Sequence, residues 1–408
     1  CGATLRSLRM PTLRNEEYRF TDLSPLTRAG LYVPQPPSIS DISTIISNIT
    51  LTCDSIRVIV VNGLVQSVEL GPATLPEGAY IGNAGGAPKD VLKFSLGNQS
   101  KSRGGPFASL NGAVASDCVV VYVPEECAIT APVHIINISS ADAIPGKFAF
   151  SAPRALVFLE AGASAEVVEE FLSLSDSMNA SFSVTEIELD DKASLSHKYV
   201  EIENSHSINM KSTLVSQGAE SSYSLTEVRL GAELSRHDVG IVQLGERTCT
   251  GMKHFLLAGE RQVHDLHTKL ALDYPEGTAD QIHKCIAAAD TSKGVFDGNV
   301  KVNRMAQRTD AGQLSRNLLL APKATVNVKP NLQIVADDVK CTHGCAVSDL
   351  EAEQLFYLQA RGIDPSSARK MLVYSFGGEV MQNLQDKNLI DRVQEKATAT
   401  LDHVFLKQ

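Results

Sequence analysis

The side chains best suited to chemistry gather in three places, of which the first is Cys341-Thr342-His343-Gly344-Cys345. On an extended segment residues i, i+2 and i+4 point the same way, so two thiols and an imidazole face one spot, and soft thiolates with imidazole suit iron, zinc or cluster intermediates. Three ligands leave one coordination position open. The competing reading makes Cys341 and Cys345 small buried hydrophobes and His343 a satisfied polar residue. Asp337 and Asp338, just upstream, could orient the imidazole or form a solvated turn. The second cluster is His264-Asp265-Leu266-His267 with His283 and Cys285. On a strand His264 and His267 turn to opposite sides, so the reading here is exposed or hydrogen-bonded histidines rather than ligands. The third is Arg236-His237-Asp238 with Cys249 and His254, where a catalytic dyad would need geometry that spacing does not supply.

Several chemistries are excluded on local signature. The chain has no GxxxxGK[ST], and the Gly-rich stretches at Gly82 to Gly86 and Gly104-Gly105 lack the lysine and the strand-to-helix context of a phosphate cradle. No GxSxG, HExxH or CxxC occurs, so nucleophile-elbow hydrolases, zincins and zinc ribbons fail as well. A net charge of −10, from 37 Lys plus Arg against 47 Asp plus Glu, disfavours nucleic acid or an anionic membrane as a partner for the whole surface. The longest apolar runs, such as Val119 to Val123, fall far short of the ~20 residues of a membrane span. The eight cysteines follow no disulfide framework, which fits a reducing compartment. A start at Cys1, with three arginines before the first acid at Glu16, is what a precursor trimmed of a targeting peptide would show.

The elements that must position these residues form three zones. Residues 1–105 read as a mixed α/β domain, with prolines at Pro34, Pro36 and Pro37, a helix over Ile39 to Ile49 and a hairpin. In that hairpin Ile56 to Val61 and Leu64 to Leu70 flank Asn62-Gly63, the dipeptide of a type I′ turn. A Gly-rich stretch, Gly82 to Pro88 with Gly104-Gly105-Pro106, closes the zone. Residues 106–346 hold many short β-rich runs with small-residue turns before them, at Ala163, Ala193, Ala219, Ala232 and Ala324. Such a ragged repeat fits a parallel β-helix, and on pattern alone equally a β-sandwich or barrel. Residues 347–408 switch to helical period: Ser348 and Glu351 as a capping box, Leu355 and Leu358 on one face, and Gly362 as the stop. Asp364 caps a second helix with Pro365 behind it and an inner stripe of Ala368, Met371, Leu372 and Ser375. A third helix carries Ile390, Val393, Ala397, Leu401 and Val404.

Three blocks then carry a resemblance: Ala306 to Leu320 (AQRTDAGQLSRNLLL), Ala336 to Gly344 (ADDVKCTHG) and Leu355 to Ile363 (LFYLQARGI) resemble the SufB/SufD family of iron–sulfur cluster assembly proteins. Tyr18 to Leu26 (YRFTDLSPL) is similar to the family's N-terminal region and Phe107 to Ile135 to its first β-helical coils. Within the family, KCTHG at Lys340 to Gly344 looks like SufD rather than SufB. Two departures stand out: Cys345 occupies a position where many bacterial relatives have alanine, and Ala271 to Tyr274 lack a second histidine that relatives often carry.

The resemblance implies a mainly β fold, a right-handed parallel β-helix between an N-terminal mixed α/β domain and a C-terminal helical domain. It implies a non-catalytic scaffold that pairs with a SufB-type subunit through the β-helix and docks a SufC-type ATPase through the C-terminal helices, so that deleting residues 347–408 should abolish SufC binding and leave a folded β core. His343, with Cys341 beside it and Cys345 as a further candidate ligand, would serve a transient iron or cluster intermediate shared with SufB; no tightly bound cofactor is implied, and ATP would bind SufC only. The chloroplast stroma is the expected compartment, a bacterial cytoplasm the alternative. A carbohydrate-active β-helix enzyme would want an aromatic-lined groove, against 5% aromatics and no Trp here. A standalone metal-binding module would want a complete ligand set, and CTHGC is one short.

Overall fold

From Arg154 onward every strand pairs with the strand one coil before it, in parallel, and this settles the choice among β architectures left open by the pattern. The computed structural model describes residues 9–35 and 39–405, so Cys1, Pro36 and Pro37 lie outside the described residues. Two sheets face one another around a common interior. The first, of 11 strands, runs from Tyr80–Asn83 through Val119–Val123, Arg154–Leu159 and Asn179–Leu189 to its last strand, Thr325–Ile334. The second, of 10 strands, runs from the hairpin Ile56–Val61 and Leu64–Glu69 through Val133–Ser139 to Lys340–Ser348. From Arg154–Leu159 onward successive strands alternate between the sheets, so the chain is a parallel β-helix.

Both faces of most strands are buried, which explains the weak alternation of polar and apolar residues. Inward side chains such as Val157, Ile187, Val215, Ile241, Leu270 and Val300 form one apolar column with their counterparts from the opposite sheet. The outer face of the second sheet is apolar too. Val168, Val200, Val228, Phe255, Leu257 and Ile286 pack there against Val373, Val380, Leu389, Val393, Ala397 and Leu401 of the C-terminal helices Pro365–Met381 and Lys387–Phe405. Arg392 locks the last helix down, donating to both oxygens of the buried Glu170 at 2.9 and 2.7 Å.

Local signals explain much of the rest. Asn62 and Gly63 take φ of 50° and 83°, as a type I′ hairpin requires. Asp364 caps its helix by accepting from Ser367 N at 3.0 Å, and Gly362 at φ 85° ends the helix before it, Ala352–Gln359. The capping box at Ser348 does not form. Ser348 ends a strand, and Glu351 is the N-cap without a side-chain bond. The second helix also turns differently from the expected stripe: Ala368 is buried, but Met371 and Ser375 are exposed, and Val373 and Val380 take the inner positions. The Gly-rich stretch is no plain close to the N-terminal zone. Lys89–Ser95, Asn98–Arg103 and Gly105–Val114 are helices, Pro106 standing in the first turn of the last, so the first coil begins only at Val119.

The two ends of the solenoid differ. At the N-terminal end short antiparallel strands cover both sheets, Leu64–Glu69 of 6 residues and Tyr80–Asn83 of 4. At the other end Thr325–Ile334 of 10 residues and Lys340–Ser348 of 9 each pair on one side only. Long, bare parallel edges of this kind are templates for another chain.

Candidate functional site

The segment of the first cluster is the bare edge itself. Lys340–Ser348 pairs with Asp310–Leu319 so that Cys341 stands over Ala311, His343 over Gln313 and Cys345 over Ser315. Ala311, Gln313 and Ser315 point into the solenoid, where all three are buried, and period-2 alternation therefore puts Cys341, His343 and Cys345 on the same inward row. Among the described residues no further coil lies above it, and that row is open: His343 and Cys345 are exposed and Cys341 half-buried. Burial lifts both thiols above the ordinary cysteine value, with the Asp310 carboxylate adding to the rise at Cys341. They are thiols at neutral pH, and giving up the proton is part of any ligation they perform.

One face is not one point. A strand rises about 3.3 Å per residue, so Cys341 and Cys345 sit roughly 13 Å apart along it. Among the described residues no three His, Cys, Asp or Glu side chains converge as a metal-holding group. The expected convergence of two thiols and an imidazole on one spot is thus corrected: the row presents separate donors to whatever lies across the edge. Asp337 and Asp338 are exposed in the preceding turn.

Behind the row lies a polar file that motif reading missed. Glu227, His254, His283, Ser315 and Cys345 are register partners on five successive strands of the second sheet. Glu227 is fully buried and takes His254 Nδ1 at 2.6 Å and His237 Nδ1 at 3.1 Å, one imidazole on each oxygen. Burial alone would raise this carboxyl, but His237 and Arg229 hold it well below the usual carboxylate range. Deeper in, Glu169 is held low in the same way by Lys211, at 2.7 Å, and His197. His283 Nδ1 meets Ser315 Oγ at 3.0 Å while its ring stacks on Phe296, and burial keeps that imidazole well below its ordinary pKa. Coil register brings these residues together from distant sequence positions.

The other clusters resolve as structural. His264 faces inward, pushed down to about 3 by burial, whereas His267 lies on the outer face against Asp265 at 2.9 Å, so the two do diverge. Cys285 is buried and its thiol pushed up to about 12. Arg236 and Asp238 pair on the outer face at 2.8 Å, Arg236 also holding Asp265 at 2.8 Å and stacking over Tyr18. His237 joins His254 on Glu227 inside, and Cys249 is exposed and apart from them. Thr21 Oγ1 donates to Asp265, so the YRFTDL segment is the anchor of the N-terminal chain on the first sheet.

The fold and site define a β-solenoid scaffold with soft-ligand side chains on an unpaired edge. The family description "SUF system FeS cluster assembly, SufBD core domain" matches residues 139–376, and "SufBD protein N-terminal region" matches residues 2–135. The chain belongs to the SufB/SufD family. It is similar to "Protein ABCI7, chloroplastic" of Arabidopsis thaliana, 41% identical over 404 residues, covering 98% of this chain and 84% of that protein. It is 33% identical to an iron-sulfur cluster assembly SufBD family protein of Synechocystis over 402 residues, covering 96% of this chain and 87% of that protein. With the iron-sulfur cluster assembly protein SufD of Escherichia coli the identity is 28% over 397 residues, covering 94% and 88% of the two chains. Among the described residues no helix is long and apolar enough to cross a membrane.

Proposed function

We propose that this chain is the SufD-side scaffold of a plastid cluster-assembly complex. It lends the edge strand Lys340–Ser348 to a seam with a SufB-type subunit, where iron or a cluster intermediate is the cargo. The observation that carries the reading is the inward row of Cys341, His343 and Cys345 on a long parallel edge with no partner strand on its outer side among the described residues. Joining two such edges satisfies unpaired backbone groups and encloses donors from both subunits in one partly desolvated space. The chain itself performs no covalent step and keeps no resident cofactor. The stroma fits the chloroplastic relative.

The C-terminal helices offer the contact for a SufC-type ATPase. Phe356 and Tyr357 on Ala352–Gln359 and Met371 on the next helix are 72%, 55% and 50% exposed, an apolar patch that the solenoid does not use. Truncation at residue 347 is a poor test, because it would strip Val228, Phe255 and Leu257 of their cover and invite aggregation rather than leave a folded core. Phe356→Glu tests the same contact without that damage.

His343→Ala should leave the fold and SufC binding intact, since exposed substitutions away from packing cost within ~0.5 kcal/mol. It should lower the iron and sulfide recovered on the assembled complex several-fold, with Cys345→Ala milder. His343→Cys should form an oxidative crosslink to a cysteine of the SufB-type subunit, which needs α-carbons about 6 Å apart. Normal cluster yield in His343→Ala would make His343 a bystander.

A further inference from the structure

The block Ala306 to Leu320 has no role in the reading above, yet its strand lies directly beneath the edge, with Gln313 under His343. Gln313 is buried, and its amide is already half used: Nε2 donates to Gln281 Oε1 at 3.0 Å, leaving Oε1 buried and without a partner. An unused buried acceptor is costly unless something donates to it, and the register partner of Gln313 on the edge strand is His343. Gly298 makes room for this amide, because a Cβ there would collide with Gln313 Nε2.

The orientation of that amide is inherited. Glu227 can only accept, so His254 Nδ1, 2.6 Å away, is the donor, and Gln281 Nε2, which can only donate, faces the ring's other nitrogen as its acceptor. Gln281 Nε2 approaches that nitrogen at 3.5 Å, which leaves Gln281 Oε1 on the side of Gln313, where it accepts from Gln313 Nε2 at 3.0 Å and from Thr268 Oγ1 at 3.2 Å. Gln313 must therefore donate inward and accept outward. Each link fixes the polarity of the next.

We infer that Gln313 is a positioning residue for His343: its free carbonyl accepts one ring N–H, fixing the tautomer and turning the other nitrogen's lone pair to the open edge as the cargo-facing donor. Residues behind a metal-facing histidine commonly set its tautomer in this way. The inference rests on the proposed role of His343 for its purpose, though not for its geometry.

The test reads the tautomer directly, in the full-length chain with ¹⁵N-labelled histidine, from the ring nitrogen shifts of His343 assigned by its loss in His343→Ala. A net hydrogen bond of about 1 kcal/mol predicts a tautomer ratio biased about fivefold. Gln313→Met, similar in length but without an acceptor, should remove that bias. Gln281→Met should weaken it by freeing the Gln313 amide to rotate, and serves if Gln313→Met folds poorly. An unchanged ratio in either folded variant overturns the inference. Cluster yield measured in the same variants separates the two ideas: a lost bias with normal yield leaves the positioning role standing and removes His343 from cluster assembly.

Discussion

Glu203 is a buried carboxyl whose protonation should govern part of the pH dependence of stability. It follows the strand Ser194–Ile202, has no exposed surface, and accepts from Ser139 at 3.2 Å, Ser207 at 3.3 Å and Ser173. Burial, the dominant effect, pushes its pKa from 4.5 up to about 7 despite those hydroxyls. The folded chain therefore holds a proton that the unfolded chain releases near 4.5, so this stabilisation is complete below about 4.5 and is lost as pH rises through about 7. A gap of roughly 2.5 between the two values, at 1.36 kcal/mol each, is about 3 kcal/mol. Glu203→Gln keeps the shape and the acceptor but cannot ionise. At pH 8 it should be more stable than the parent by up to about 3 kcal/mol, and at pH 5 the difference should shrink to under about 1 kcal/mol. With unfolding entropy near 2.1 cal/mol/K per residue, a chain of this length converts 3 kcal/mol into a Tm difference of about 3–4 °C. Urea midpoints and thermal melts at pH 5, 6, 7 and 8 measure it. A difference between parent and variant that stays constant across that range refutes the reasoning.

Other outcomes follow from packing, pairing and backbone. A Cβ on Gly294 would lie 2.5 Å from Cys285 Sγ, so Gly294→Ala should cost about 1–3 kcal/mol and Cys285→Ala should rescue it in a double-mutant cycle by urea unfolding. Arg392→Met leaves Glu170 buried with His134 as its remaining partner; the expected cost is about 2–3 kcal/mol, kept to the low end because Arg392 is partly exposed, and limited proteolysis should cut first beside Lys387–Phe405. Lys192 holds φ at 61° in a corner turn, so Lys192→Gly should stabilise by about 1 kcal/mol while the β-branched Lys192→Val destabilises, both read from urea midpoints.

How much of this was legible in the sequence depends on how local the signal is. The Asn62-Gly63 hairpin, the Asp364 cap and the inward row of Cys341, His343 and Cys345 each rest on residues within a few positions, and each was readable. The repeat was readable only in outline, because Ala163 and Ala193 occupy equivalent corners one coil apart whereas Ala232 lies on the opposite corner. Coil length also drifts, from 26 residues between Ile208 and Leu234 to 32 between Lys293 and Thr325. After Gly162 the matching left-handed corners fall on Lys192, Glu220, Arg247, Glu276 and Arg308 rather than on glycine, so composition does not mark the series. That drift hides the polar file as well. Charged and imidazole side chains within β runs ordinarily mean a solvated face, and only exact coil register sets Glu227 beside His254 and Gln313 beneath His343. The same register that a single sequence conceals is what lets a carboxylate buried several strands inside the solenoid bear on one imidazole at its open edge.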